Sequence, residues 1–234
     1  MSIAENIAAV RETVNSTALR VGRSASEVAL MAVTKTHVAE RIREAYEAGL
    51  RVFGENRVQE WAGKAAALAD LQDAQWHMIG HLQTNKAAKT ASLFGAVDSV
   101  DSVRLAEKLD AAARALGKKL SVLIEINVGD ESGKNGVAPD SLKLEEILLS
   151  APRFEALEFR GLMTVPPFTE DPEGARPHFR RLRELRDALA ARKLAGIAVN
   201  VLSMGMSHDF EVAIEEGSTC VRVGTGIFGE RMRP

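Results

Sequence analysis

The stretch VALMAVTKTHVAERIREAYEAGLRVFGEN, residues 28–56, decides the fold. Residues 28–35 read as a largely apolar β-strand that ends in Lys35. Residues 39–49 carry apolar side chains at helical spacing and stop at Gly49, a helix-closing residue. Residues 51–56 return to a strand pattern. The same alternation continues outward to the C-terminus. Further strands are expected at 76–80, 96–102, 120–129, 157–165, 199–205 and 220–229. Helices are expected between them, at 57–70, 85–94, 103–117, 141–151, 173–193 and 209–217. Strands alternating with helices build a parallel sheet. Eight is the number that closes a (β/α)8 barrel, and the chain length is close to typical for one. The expected architecture is therefore a single TIM-type barrel over residues 1–234, with an extra N-terminal helix at about residues 2–21. An open, doubly wound sheet is the competing arrangement. The Pro-rich stretch 166–174 reads as a loop between strand and helix, and no linker divides the chain.

Composition narrows the function. The chain has 234 residues, 46% hydrophobic and 26% charged, with a net charge of −2. That balance provides no field for nucleic acid or an anionic membrane. Cys220 is the single cysteine, so no internal disulfide forms, and a reducing, cytoplasmic setting is expected. The N-terminal segment mixes charges with apolar residues and is not a signal peptide. No run approaches the ~20 apolar residues of a membrane span.

In such a barrel the active site lies at the C-terminal ends of the strands. Polar residues there are Lys35, Asn56, His77, His81, Ser99, Asp101, Asn127, Thr164, Ser203, Ser207, Arg222 and Thr225. A lysine among apolar neighbours loses its charge more readily, and a neutral amine attacks carbonyls to form Schiff bases. Two loops supply a second signal. LSMGMSHDF offers Ser203, Gly205 and Ser207, and VRVGTGIFG offers Gly224, Thr225 and Gly226. Small residues let backbone N–H groups approach an anion, and the loops after strands 7 and 8 commonly hold a phosphate.

An amine beside a phosphate cradle fits two classes. One is a Schiff-base aldolase for a phosphorylated sugar, with Asp101 or Glu55 as acid/base. The other is a protein holding pyridoxal phosphate (PLP). Arg222, inside an apolar strand, needs an acceptor. It could be the unprotonated pyridine nitrogen of PLP, or a carboxylate such as Glu125 or Asp209. His77 and His81 are four apart, but Gly80 interrupts any helix between them, so no metal site is expected. The basic helix 180–193 interleaves Arg with Glu and Asp and reads as a solvated face. The loop 129–137 carries Lys134, an exposed lysine or a secondary site for aldehyde.

The motifs AVTKTH, VFGENRVQE, WHMIGHLQTNK, FRGLMTVPP, LSMGMSHDFEVAI and GSTCVRVGTGIFGER together resemble the pyridoxal phosphate homeostasis proteins. That family is similar to the barrel domain of bacterial alanine racemase. The resemblance runs in register from about Ala32 to Arg231. It implies PLP as cofactor, with Lys35 as the Schiff-base lysine. Ser203, Gly224, Thr225 and a backbone N–H near Met204 would bind the phosphate, and Arg222 would face the pyridine nitrogen. Asn56 and His77 would flank the ring, with Met163 packed nearby.

Alanine racemase departs from this chain in two respects. It has a second, β-rich domain that supplies a tyrosine base. Here the sequence ends at Pro234 directly after strand 8, and its single tyrosine is Tyr46, on the helix after strand 1. An arginine at the ring nitrogen also makes the ring a poor electron sink. The resemblance therefore implies a monomeric PLP carrier without robust turnover, with apo-PLP enzymes as its expected partners. A weak amino-acid racemase is the leading enzyme alternative, and the aldolase comes third.

Overall fold

The computed structural model describes residues 1–129, 133 and 135–229. Its centre is a closed parallel barrel in which each strand pairs with the next and β8 returns to β1. The strands are β1 (Ala29–Val33), β2 (Val52–Glu55), β3 (Gln75–Met78), β4 (Ala96–Val100), β5 (Leu120–Glu125), β6 (Leu157–Met163), β7 (Ile197–Met206) and β8 (Cys220–Val223). The closing pair is in register from Ala29↔Cys220 to Ala32↔Val223. This closure excludes the open doubly wound sheet.

The helices are α1 (Ile3–Arg20), α2 (Ala39–Glu47), α3 (Val58–Lys64), α4 (Ala87–Leu93), α5 (Val103–Ala115), α6 (Leu142–Ser150), α7 (Arg176–Arg192), α8 (Phe210–Glu215) and α9 (Thr225–Phe228). Ser2 and Glu5 form a capping box that starts α1. Its apolar stripe, Ile7, Val10, Val14 and Ala18, is buried, and the helix packs on α8, α9 and α2. The Asn6 side chain donates to the Ile227 carbonyl at 2.9 Å, tying α1 to the loop after β8. A stack of Trp61, Trp76 and Phe53 fixes α3 against β2 and β3, with ring centroids 3.8 and 4.8 Å apart.

Several elements differ from the sequence reading: β3, expected at 76–80, is Gln75–Met78, and β5, expected to run to 129, stops at Glu125. Residues 220–229 were expected to be one strand, but β8 stops at Val223. The carbonyl of Gly224 accepts the N–H groups of Ile227 and Phe228 at 3.0 and 2.9 Å, which folds the rim into α9. The helix expected at 57–70 ends at Lys64 and continues as a 3-10 turn, Ala65–Leu68. Strand β7 reaches Met206, past the expected end at 205, because Met206 still pairs with Arg222 of β8. Lys134 lies outside the described residues.

Candidate functional site

At the C-terminal mouth of the barrel is a cavity of about 300 Å³. Its wall comes from Val33, Lys35, Asn56, Ile79, Val165, Met206, Ser207, His208, Arg222, Gly224 and Thr225. The volume is at the lower end of the range for small-molecule sites, roughly 300–1,000 Å³.

Lys35 follows β1 and is half-buried on this wall. It sits in a turn closed by the His37 N–H donating to the Thr34 carbonyl at 3.2 Å. Thr36, the next residue, has a φ of 69°, an unusual value for a β-branched residue. Beneath the turn, Thr34 donates its hydroxyl to Glu55 at 2.6 Å. Glu55 is fully buried and ion-paired with Lys64 at 2.6 Å.

Opposite lie the loops after β7 and β8. The Ser207 hydroxyl oxygen accepts the N–H groups of Gly224 and Gly226 at 3.2 and 3.3 Å, which joins the two loops. Ser207, Gly224 and Thr225 thus line the cavity from these two loops. Such a surface suits a phosphate or another compact anion.

Arg222 closes the floor and is only 3% exposed. Its guanidinium donates to the Ser203 hydroxyl and to the Thr164 carbonyl, both at 2.7 Å. Neither Glu125 nor Asp209 is a hydrogen-bond partner of Arg222, although both act on it electrostatically. Asp209 instead caps Met206, and its carboxyl is raised mainly by burial. Burial, with the nearby Asp101 charge, pushes the Glu125 carboxyl up to about 7, against the opposing pull of Arg222. Asn56 reaches the wall from the end of β2, and its Oδ1 is buried with no hydrogen-bond partner among the described residues. Gly80 makes that placement possible, because a Cβ there would come within 2.4 Å of the Asn56 carbonyl oxygen.

Of the residues singled out in the sequence, Lys35, Asn56, Arg222, Gly224 and Thr225 meet at this cavity. His77, Met163, Ser203 and Met204 are not on its wall. Strand β3 ends one residue beyond His77, so Ile79 reaches the mouth instead. His77 has its Nδ1 3.0 Å from Asp98 and borders a crevice at the start of β3 and β4. Burial lowers the affinity of His77 for a proton, but the Asp98 charge and hydrogen bond outweigh that and raise it. Met163 is fully buried at the end of β6, opposite Ser203 in register. Because β7 runs on to Met206, Ser203 and Met204 lie below the rim, and Ser203 serves Arg222.

Glu55 and Asp101, the acid/base candidates for an aldolase, do not line the cavity either. Glu55 is committed to Lys64 and Thr34, and Asp101 is 3.5 Å from the His81 ring. Tyr46 is at the far end of the barrel, by the start of β2. Its hydroxyl donates to the Asp73 carboxylate, and Arg51 lies 4.0 Å over its ring.

The wall also includes Ser207, which the sequence offered as a small hydroxyl residue in the loop after strand 7, and residues that the sequence did not single out. His208 is one of the latter, although its Nε2 lies 3.1 Å from the carbonyls of both Thr169 and Glu170 and so ties down the loop after β6. Val33, Ile79, Val165 and Met206 carry no signal beyond hydrophobicity.

The family profile described as alanine racemase, N-terminal domain, matches residues 2–232. The pyridoxal phosphate homeostasis protein of Aquifex aeolicus is 47% identical over 232 residues, covering 99% of each chain. The solved structure of PipY from Synechococcus elongatus with PLP bound is 38% identical, with a TM-score of 0.83 over 97% of this chain and 100% of that one. An alanine racemase of Clostridium difficile shares the barrel at a TM-score of 0.76 and 15% identity, matched over 57% of its length.

Proposed function

The chain belongs to the pyridoxal phosphate homeostasis protein family, within the alanine racemase N-terminal domain class, and from that premise we propose that it holds PLP covalently on Lys35 and buffers the cofactor. The observation that carries this reading is one cavity with an amine on one side and an anion cradle on the other. The donor set fits the group. Lys35 is the amine for the aldehyde. Ser207 and Thr225, in the loops after β7 and β8, suit the phosphate, and Arg222 suits an unprotonated ring nitrogen. The orphaned Oδ1 of Asn56 gives a polar ring substituent a partner, and Val33, Ile79, Val165 and Met206 offer apolar surface to the ring. When bound, PLP supplies an electrophilic aldehyde and, in enzymes, an electron sink.

The remaining residues favour retention over turnover. Arg222 is locked by Ser203 and Thr164, and a guanidinium does not hand a proton to a ring nitrogen. Racemisation needs a second acid/base within hydrogen-bond reach; Tyr46 is engaged with Asp73 at the other end of the barrel, and the Nε2 of His208 on the wall is engaged by the Thr169 and Glu170 carbonyls. The reading extends to a monomer that releases cofactor to apo-enzymes. The buried single cysteine supports a cytoplasmic setting, and no described helix is long and apolar enough to cross a membrane. Titration of the apo-protein with PLP tests the reading. Wild type should develop a visible absorption band at one equivalent, and Lys35→Ala should not. A band of equal size in Lys35→Ala would refute it.

A further inference from the structure

Lys64 does not line the cavity, yet its ammonium group reaches both ends of the Lys35 turn. From the last turn of α3 its Nζ donates to the carbonyls of Thr34 and His37 at 3.1 and 3.2 Å, the residues that bracket Lys35 and Thr36. Within reach of the same Nζ lie Glu55 at 2.6 Å and Glu60 at 3.1 Å, so its three N–H groups are shared among four oxygens. Glu60 in turn accepts the Thr36 backbone N–H, and Glu55 accepts the Thr34 hydroxyl at 2.6 Å. One ammonium and two carboxylates thus hold both ends and the middle of a four-residue turn.

The cluster is not explained by stability alone. The Lys64 side chain is 12% exposed and that of Glu55 is 0% exposed. Desolvating such a pair offsets much of its attraction, and well-packed apolar residues often do as well. What apolar residues would not supply is a directional hold on backbone carbonyls. The turn needs one, because Thr36 is in the left-handed region at φ 69°. A β-branched residue stays there only where its surroundings over-determine it.

We propose that Lys64, together with Glu55 and Glu60, is the positioning residue for Lys35. By fixing the turn, it aims the Lys35 amine into the cavity and so sets how fast that amine condenses with an aldehyde. In the condensation the neutral Lys35 Nζ bonds the aldehyde carbon, its two hydrogens leave with the aldehyde oxygen as water, and a C=N bond replaces the C=O. This inference rests on Lys35 being the covalent anchor. It assigns Lys64 no contact with the ligand.

The test uses Lys64→Met, Lys64→Arg, and the double variant Glu55→Gln/Lys64→Met, which leaves no unpaired buried carboxylate should the single variant fail to fold. The first readout needs no ligand. In both Met-bearing proteins the amides of Thr36 and His37 should exchange with deuterium at least tenfold faster, while those of β5 keep their protection. The second is affinity for pyridoxamine phosphate, which has the ring and phosphate but no aldehyde; it should stay within twofold of wild type. The third is the rate of borohydride-trappable attachment of PLP at Lys35, which should fall about tenfold or more and recover in part in Lys64→Arg. Trapping at the wild-type rate would overturn the proposal. So would an equal loss of pyridoxamine phosphate affinity and β5 protection, which would make Lys64 merely structural. If PLP fails to attach to Lys35 even in wild type, the covalent-anchor reading falls on its own, and the exchange data still report whether Lys64 holds the turn.

Discussion

Glu125→Gln should stabilise the protein at alkaline pH and leave it unchanged in acid. Glu125 ends β5 inside the barrel, is 8% exposed, and its Oε2 has no hydrogen-bond partner among the described residues. The charged groups that act on it are Asp101, after β4, and Arg222, on β8. Burial and Asp101 raise its carboxyl from 4.5 to about 7. Below about 4.5 both folded and unfolded chains carry the proton, and the site costs nothing. Between 4.5 and about 7 only the folded chain keeps it, so stability falls as pH rises. Above about 7 the folded chain buries a charge at full cost. At about 1.36 kcal/mol per pH unit, the displacement from 4.5 to about 7 is worth on the order of 3 kcal/mol. Glutamine keeps the shape and removes that cost. For a chain of this size the gain at pH 8 corresponds to a rise in Tm of roughly 6–12 °C. Thermal melts of both proteins from pH 4 to pH 8.5 provide the assay. Coincident curves at pH 8, or a gain as large at pH 4 as at pH 8, would refute the reasoning. The functional consequence is that a neutral Glu125 leaves the positive charge of Arg222 undiminished at the cavity floor.

Ser207→Ala and Thr225→Val should each weaken PLP affinity by about ten- to a hundredfold, the worth of one hydrogen bond to a charged acceptor; unchanged titrations of both apo-proteins would put the phosphate elsewhere. Gly80→Ala should displace Asn56, since its Cβ would lie 2.4 Å from the Asn56 carbonyl oxygen. A drop in PLP affinity with the barrel still folded by circular dichroism is the expected result. Incubation with L-alanine in D₂O should incorporate no α-deuterium at enzymatic rates; rapid exchange abolished by Lys35→Ala would promote the racemase reading.

The barrel was legible in the sequence because each strand–helix unit has its own periodicity and stop signal, as at Gly49. The floor and the rim were less so. Arg222 could be recognised as a buried cation, but its partners Ser203 and Thr164 lie on β7 and just after β6, and only closure brings them together. Counting from strand ends assigned His77 to the mouth, whereas β3 is short enough that Ile79 arrives there. Residues 224–229 share the apolar character of a strand, and their turn into α9 depends on carbonyl and amide pairings that side-chain patterns do not encode. Lys64 was unremarkable in the sequence as one more lysine on a surface helix. Its role emerges from four oxygens around one ammonium, contributed by the turn after β1, by β2 and by α3.

The most direct measurement of the central claim is the site of covalent attachment. The purified protein, loaded with one equivalent of PLP, is reduced with borohydride, digested, and mapped by mass spectrometry. The expected result is a single phosphopyridoxyl group on the peptide containing Lys35, at close to full occupancy. A label spread over surface lysines, with Lys35 unmodified, would contradict the account.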